Sequence, residues 1–306
     1  MKKFHIILTD PIYYRYALFI LLTMNFLTFL FIPNPTEFYL AYILATIFLG
    51  MGYYNKPIFL LVTFTTIIVL LRIYTMPEAD ELTMLEFIIH VASYNTIMLI
   101  SVGLMANYQK NKHDYFEMIK TLTRVLDSKD EYTYNHSENV ARYSTLIAEE
   151  MQLSKKQCEH IRIGALLHDV GKVGIADTII NKPGRLTDEE YDIIKTHPLI
   201  GHDILKYISS FKDYGILDII LCHHERFDGS GYPQGLDGKD IPLGAKIVAV
   251  ADAFDAMTSN RVYRDKLDPT YVINEISRNR GKQFDPEVVD SFLTIIRKEE
   301  NFQKYV

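Results

Sequence analysis

The chain has 306 residues and a formal net charge of −6. That length exceeds one ordinary compact domain, so two units are expected, and the acidic balance excludes a general binder of DNA or RNA polymers, which needs a basic surface to neutralise phosphates. Cys158 and Cys222 are the only cysteines; they are too few for a disulfide framework or a thiolate zinc site, and they fit a reduced, cytosolic setting for the region that holds them.

The long apolar runs lie between residues 16 and 108. In chain order they are YALFILLTMNFLTFLFI (16–32), closed by Pro33, Asn34 and Pro35, then EFYLAYILATIFLGMGYY (37–54), PIFLLVTFTTIIVLL (57–71) and FIIHVASYNTIMLISVGLM (87–105). Each approaches the roughly 20 residues that carry a helix across the hydrocarbon layer. Residues 1–106 are therefore expected to form four transmembrane helices, with the lipid bilayer of the cell (inner) membrane as a partner. Lys2, Lys3 and Arg15 precede the first run, Lys56 separates the second from the third, and Lys110 and Lys112 follow the fourth, whereas NPTE and MPEADELT carry no Lys or Arg. The positive-inside rule then puts both termini in the cytoplasm. The first run has no small-residue cleavage site and reads as a permanent anchor. His90 and Asn95, polar groups at membrane depth, are candidates for sensing or for helix packing, with packing favoured.

Residues 107–127, NYQKNKHDYFEMIKTLTRVLD, form a polar connecting helix. Tyr115, Ile119, Leu122 and Leu126 recur at spacings of four, three and four, which suits a short coiled-coil seam between two subunits. An ordinary amphipathic helix reads the same pattern equally well.

Residues 128–306 read as a second, all-helical domain, so the whole chain is placed in the all-α class. Ser154 with Gln157 and Thr187 with Glu190 have capping-box spacing, and Asp285 before Pro286 is a further helix start. In HSENVARYSTLI, His136, Val140, Tyr143 and Ile147 share one helical face, which turns His136 inward.

Several polar residues can be pointed by such helices at a common centre: His136, the His168-Asp169 pair, His197, the doublet His223-His224, and Asp252. Asp252 stands in the apolar stretch Ile247–Phe254, and a buried carboxylate needs a partner. Five histidines and two aspartates form a nitrogen and oxygen donor set suited to iron, manganese or zinc. They exceed the needs of one ion, and an aspartate can bridge two, so a dinuclear centre around Asp169 is expected.

HDVGK (168–172), HHERFDGSGYP (223–233) and the order of these residues resemble the HD-GYP family of cyclic di-GMP phosphodiesterases, over roughly residues 125–300. The resemblance implies two divalent ions, iron or manganese foremost, one held by His136, His168, Asp169 and Asp252 and the other by Asp169, His197, His223 and His224. It implies catalytic roles for Asp169 and Lys172, and substrate contacts from Lys172, Gly231, Tyr232, Pro233, Arg261 and Arg264. Val262 stands where the family has proline. Some members carry a third metal held by a glutamate four residues before the first histidine; Tyr132 occupies that place here, with Glu131 one residue out of step, so the two-metal form is expected. Glu225 is read as orienting a ligand histidine, and Cys222 as a packed residue.

The implied function is a membrane-anchored hydrolase converting cyclic di-GMP to linear pGpG, with GMP as an open further product. Two alternatives stand beside it: hydrolysis of another cyclic dinucleotide such as cyclic GMP-AMP, and a receptor domain that binds nucleotide without turnover.

Overall fold

A computed structural model describes residues 10–31, 39–75, 83–129, 135–259 and 267–298. Among these residues every regular element is helical, and strand pairing is limited to isolated bridges, Asp228 with Asp237 and Arg280 with Phe284. Lys2, Lys3, Glu131, Tyr132, Arg261, Val262 and Arg264, the NPTE segment and nearly all of MPEADELT lie outside the described residues.

The chain divides into two compact units, residues 1–115 and 116–306. In the first, the apolar runs form α1 (Pro11–Phe31), α2 (Tyr39–Gly52), α3 (Ile58–Thr75) and the start of α4 (Met84–Asp127). Three of these, α1, α3 and α4, are long and apolar enough to cross a membrane. The expectation of four spans meets a shorter second helix: α2 has 14 residues, about 21 Å at 1.5 Å per residue, against a hydrocarbon layer of about 30 Å. It stops in a turn at Tyr53–Lys56, where Lys56 N donates to Tyr53 O at 2.9 Å, ahead of Pro57, whose missing N–H cannot extend a helix. Tyr42, Leu49, Leu61, Val69 and Met98 pack the interior of this unit, while large apolar side chains such as Phe19, Phe31 and Phe59 face outward. Polar groups within it bond locally: Tyr42 and Thr75 share a 2.7 Å hydroxyl contact, and Asn95 donates to Val91 O of its own helix at 2.8 Å.

The connecting helix expected at 107–127 is the continuation of α4, a single helix of 44 residues. The expected seam is corrected there. Ile119 is buried and Leu126 packs against the core of the second unit, whereas Met118 and Val125 are exposed. The outward stripe is therefore Tyr115, Met118, Leu122 and Val125.

In the second unit α5 (His136–Glu150), α6 (Lys155–Leu167), a 3₁₀ turn (Val170–Gly174), α7 (Asp177–Ile180), α8 (Asp188–Ile194), α9 (His197–Leu205), α10 (Ser209–Asp213), α11 (Ile216–Cys222), α12 (Leu243–Thr258), α13 (Pro269–Arg278) and α14 (Pro286–Lys298) follow in order. Both capping boxes form, at Ser154–Gln157 and Thr187–Glu190, and Asp285 Oδ1 accepts from Glu287 N at 2.8 Å to start α14. Val140, Tyr143 and Ile147 of α5 are buried as their spacing requires. Phe254 of α12 lies at the middle of the core, in edge contact with Tyr143 at 4.9 Å and Phe292 at 5.1 Å between ring centroids. Burial of α12 on several sides explains its almost unbroken apolar sequence, and the same burial makes Asp252 and Asp255 informative.

Candidate metal centre and substrate loop

The seven donors converge in two groups. His136, His168 and Asp252 form one, and Asp169, His197, His223 and His224 the other; within each, one donor atom from every residue lies within 4.8 Å of the rest. His136, His168, His197 and His223 are buried at the floor, while Asp169 and Asp252 keep 15% and 18% of their side chains open at the mouth. Asp169 stands between the groups. Its Oδ2 is 3.3 Å from His168 Nε2 and 3.9 Å from His136 Nε2, and its Oδ1 is 3.2 Å from His197 Nε2.

The helix ends decide which nitrogen of each ring faces the centre. The last carbonyls of a helix have no partner within it. His168, immediately after α6, lies with Nδ1 2.7 Å from Ala165 O, and His223, immediately after α11, with Nδ1 2.8 Å from Ile220 O. His197 repeats this just beyond α8, at 2.8 Å from Ile194 O. A carbonyl only accepts, so each Nδ1 carries the hydrogen and each Nε2 is left with a lone pair. Those of His197 and His223 face each other at 3.2 Å, with Asp169 Oδ1 alongside, and buried His168 Nε2 has no hydrogen-bond partner. Acceptors that converge in this way need a cation or shared protons among them, so the residues present fit divalent metal ions.

Charge is divided unevenly over the centre. Burial opposes protonation of His136, but the carboxylates of Asp252 and Asp255 outweigh it and raise the pKa to about 10. His168 also moves up, against burial, through Asp169 and Asp252. His223 and His224 are driven down by burial and, for His223, by the neighbouring imidazoles, His224 to about 4 and His223 well below its usual value. Burial works against ionised Asp169 and Asp252, yet the adjoining cations hold both well below the usual carboxylate range. Among those cations is Lys172, whose ammonium lies 2.6 Å from Asp169 Oδ2.

The HD domain family model matches residues 120–288. The chain belongs to the HD domain family. Relatives of this HD domain include a protein of Thermotoga maritima named cyclic di-GMP phosphodiesterase, 44% identical over 59% of this chain and 49% of that protein. The cyclic di-GMP phosphodiesterase response regulator RpfG of Xanthomonas campestris is 40% identical over 62% of this chain and 50% of that protein. The 3′3′-cGAMP-specific phosphodiesterase 3 of Vibrio cholerae is 37% identical over 56% of this chain and 37% of that protein. The chain thus spans half or less of the length of these relatives.

Two glycines of the HD domain bring ligand-bearing segments together. A Cβ on Gly171 would overlap the carbonyl of His197, and one on Gly231 would overlap the backbone at Arg226 and lie 2.6 Å from Glu225 Cα. The first lets α9 and His197 approach the HDVGK turn; the second folds the 229–233 loop back over the histidine doublet, where Tyr232 stacks on His224 with centroids 4.8 Å apart. Pro233 follows Tyr232 through a cis peptide bond. Glu225 departs from its expected role. Its carboxylate accepts from Gln234 N at 2.7 Å and Leu236 N at 3.0 Å, so it fastens the loop and does not orient a histidine. The residue that orients one is Asp255, which is not among the expected site residues: its Oδ2 is 2.7 Å from His136 Nδ1. Its signal was available, since Asp252 and Asp255 are three apart on one face of an apolar helix. Cys222 is buried, with burial pushing its thiol up to about 12, and packs with Ile241 and Ala245.

Proposed function

We propose that the chain is a membrane-anchored, metal-dependent phosphodiesterase that hydrolyses cyclic di-GMP to linear pGpG. The observation that carries this reading is the placement of Asp169, whose two oxygens turn to opposite halves of a nitrogen-rich centre at 3.3 and 3.2 Å. In this reading His136, His168, Asp169 and Asp252 hold one cation, and Asp169, His197, His223 and His224 the other; iron and manganese suit nitrogen and oxygen donors without sulfur. Bound, the pair supplies Lewis acidity toward phosphoryl oxygens and a water acidified for in-line attack.

The chain's own residues do the rest. Lys172 is half-buried beside Asp169, so its ammonium can turn toward a phosphoryl or leaving oxygen once a cation has taken over that carboxylate. Tyr232, stacked on His224, and Gly231 and Pro233 beside it shape the wall above the centre on which a nucleotide lies. Arg261 and Arg264 are the proposed phosphate contacts. Names of the Thermotoga and Xanthomonas relatives support cyclic di-GMP, and that of the Vibrio relative supports 3′3′-cGAMP as the second reading. Three long apolar helices support the membrane anchor; a cytoplasmic placement of both termini, as the positive-inside rule has it, requires the shorter α2 to cross as a fourth span.

The test uses the full chain in lipid nanodiscs, loaded without oxygen with iron or manganese and offered cyclic di-GMP or 3′3′-cGAMP in parallel. Metal-dependent formation of pGpG, absent from a His168→Ala, Asp169→Ala variant, is the expected outcome. Turnover of 3′3′-cGAMP alone would transfer the assignment to the second substrate, and two untouched substrates at full metal occupancy would overturn the hydrolase reading.

A further inference from the structure

The last two turns of α4 and the residues just beyond it take hold of three segments of the centre, those that carry His136 and His168 of one half and the shared Asp169. Buried Thr123 donates its hydroxyl to Leu166 O at 3.1 Å. That is an end carbonyl of α6, which the helix itself leaves without a partner, two residues before His168. Asp127 Oδ1 accepts from Ser137 Oγ at 2.7 Å, and Ser137 follows His136 in the first turn of α5. Lys129 Nζ lies 3.2, 3.0 and 2.7 Å from the carbonyl oxygens of Lys172, Val173 and Ile175. An ammonium has three donors, and here they close the 3₁₀ turn that begins directly after Asp169. All these bonds end on the segments of His136, His168 and Asp169. His197, His223 and His224 are carried by α8, α9 and α11, which are fastened by Gly171, Gly231 and the carbonyls of their own helices.

We infer that Asp127 is a positioning residue for the half of the centre held by His136 and His168, so that cation occupancy there depends on the end of α4 more than occupancy of the other half does, while Lys129 acts on both halves through the turn that follows the shared Asp169. The inference rests on the two-cation reading above. Its physical basis is that buried donors must be held in place for a metal to find them in coordination geometry: groups hydrogen-bonded to ligands alter metal affinity by about 10–100-fold when lost, and Asp127 acts one residue further out, through Ser137, which puts its effect at the lower end of that range. Because α4 is one continuous helix from Met84 to Asp127, a shift of its last turns through Thr123 and Asp127 would act first on the cation held by His136 and His168.

The experiment is a manganese titration of the full chain in nanodiscs, with steady-state kinetics at limiting manganese and unfolding of the metal-free chain measured alongside. The variants are Asp127→Ala, Lys129→Met, the conservative Asp127→Asn, which still accepts from Ser137, and Arg124→Ala, which removes an exposed 3.0 Å pair with Glu138 at the same helix end. Asp127→Ala is expected to weaken one of two manganese sites by about tenfold, to lower kcat at limiting manganese with KM unchanged, and to leave the other site alone, whereas Lys129→Met is expected to weaken both. Asp127→Asn should recover most of the lost affinity, and Arg124→Ala should match the parent at both sites. For Asp127→Ala, equal weakening of both sites with a lower unfolding temperature of the metal-free chain would overturn the inference in favour of general destabilisation, and so would two unchanged sites. A parent chain that binds fewer than two manganese ions would instead overturn the two-cation reading on which the inference stands.

Discussion

Glu225 and His136 show how single side chains set this centre. Glu225 is buried and accepts two backbone N–H groups of the 234–236 segment. Its replacement by Ala leaves both without a partner, at about 1–3 kcal/mol, and frees the loop that carries Tyr232; KM for the proposed cyclic dinucleotide substrate should rise more than kcat falls, and an unchanged KM would count against the loop's role. His136 governs a pH dependence. With its pKa near 10 in the metal-free protein, a cation must displace its proton at any lower pH, so affinity at that half should rise by up to about tenfold per pH unit. His224, near 4, and His223, held well below its usual value, have already lost their protons above about pH 6, so they add no pH dependence to the half that contains them. Manganese titrations from about pH 6 to 8 should resolve one constant that strengthens more steeply with pH than the other; two constants that move together would contradict the charge division described.

Helices and turns place these side chains, and two of them can be tested as units. The 3₁₀ turn packs so closely on α9 that a Cβ on Gly171 would overlap the His197 carbonyl. Gly171→Ala should push α9 away, costing roughly 1–3 kcal/mol through overpacking and weakening the His197 half of the centre; wild-type stability and metal affinity would show that the helix can yield. Along α4 the exposed residues Tyr115, Met118, Leu122 and Val125 recur at spacings of three, four and three, a pattern that fits a second copy of this chain laid alongside. Leu122→Cys is then expected to cross-link in membranes while Ile119→Cys, buried in its own unit, does not. Cross-linking at neither position would leave the stripe without that partner.

For the second unit as a whole, folding and metal binding are coupled. The centre gathers two buried or half-buried aspartates and five imidazoles whose mutual repulsion and desolvation a bound cation relieves, and a ligand that binds only the folded chain stabilises it by RT ln(1 + [L]/Kd), about 2.7 kcal/mol at a hundredfold excess over Kd. Chelation should lower the unfolding temperature of this unit measurably, and restored manganese should recover it; insensitivity would mean that the donors are held without need of an ion. Phe254→Ala, at the centre of the same core, should cost about 3–5 kcal/mol whether or not metal is present, which separates packing from ligation.

Much of this was legible in the sequence because it is local chemistry. The all-α class, both capping boxes, the inward face of α5 and the seven donor residues follow from helical periodicity, from side chains that satisfy helix ends within three residues, and from histidines and acids set against apolar runs. What required the tertiary structure was every relation between residues far apart in the chain. The pairing of Asp255 with His136 spans 119 positions, the two faces of Asp169 meet rings from different helices, and the true outward stripe of α4 emerged only once the core had claimed Ile119 and Leu126. The physical reason is the same in each case: a periodic pattern tells which side of a helix is apolar, but packing alone decides what that side meets.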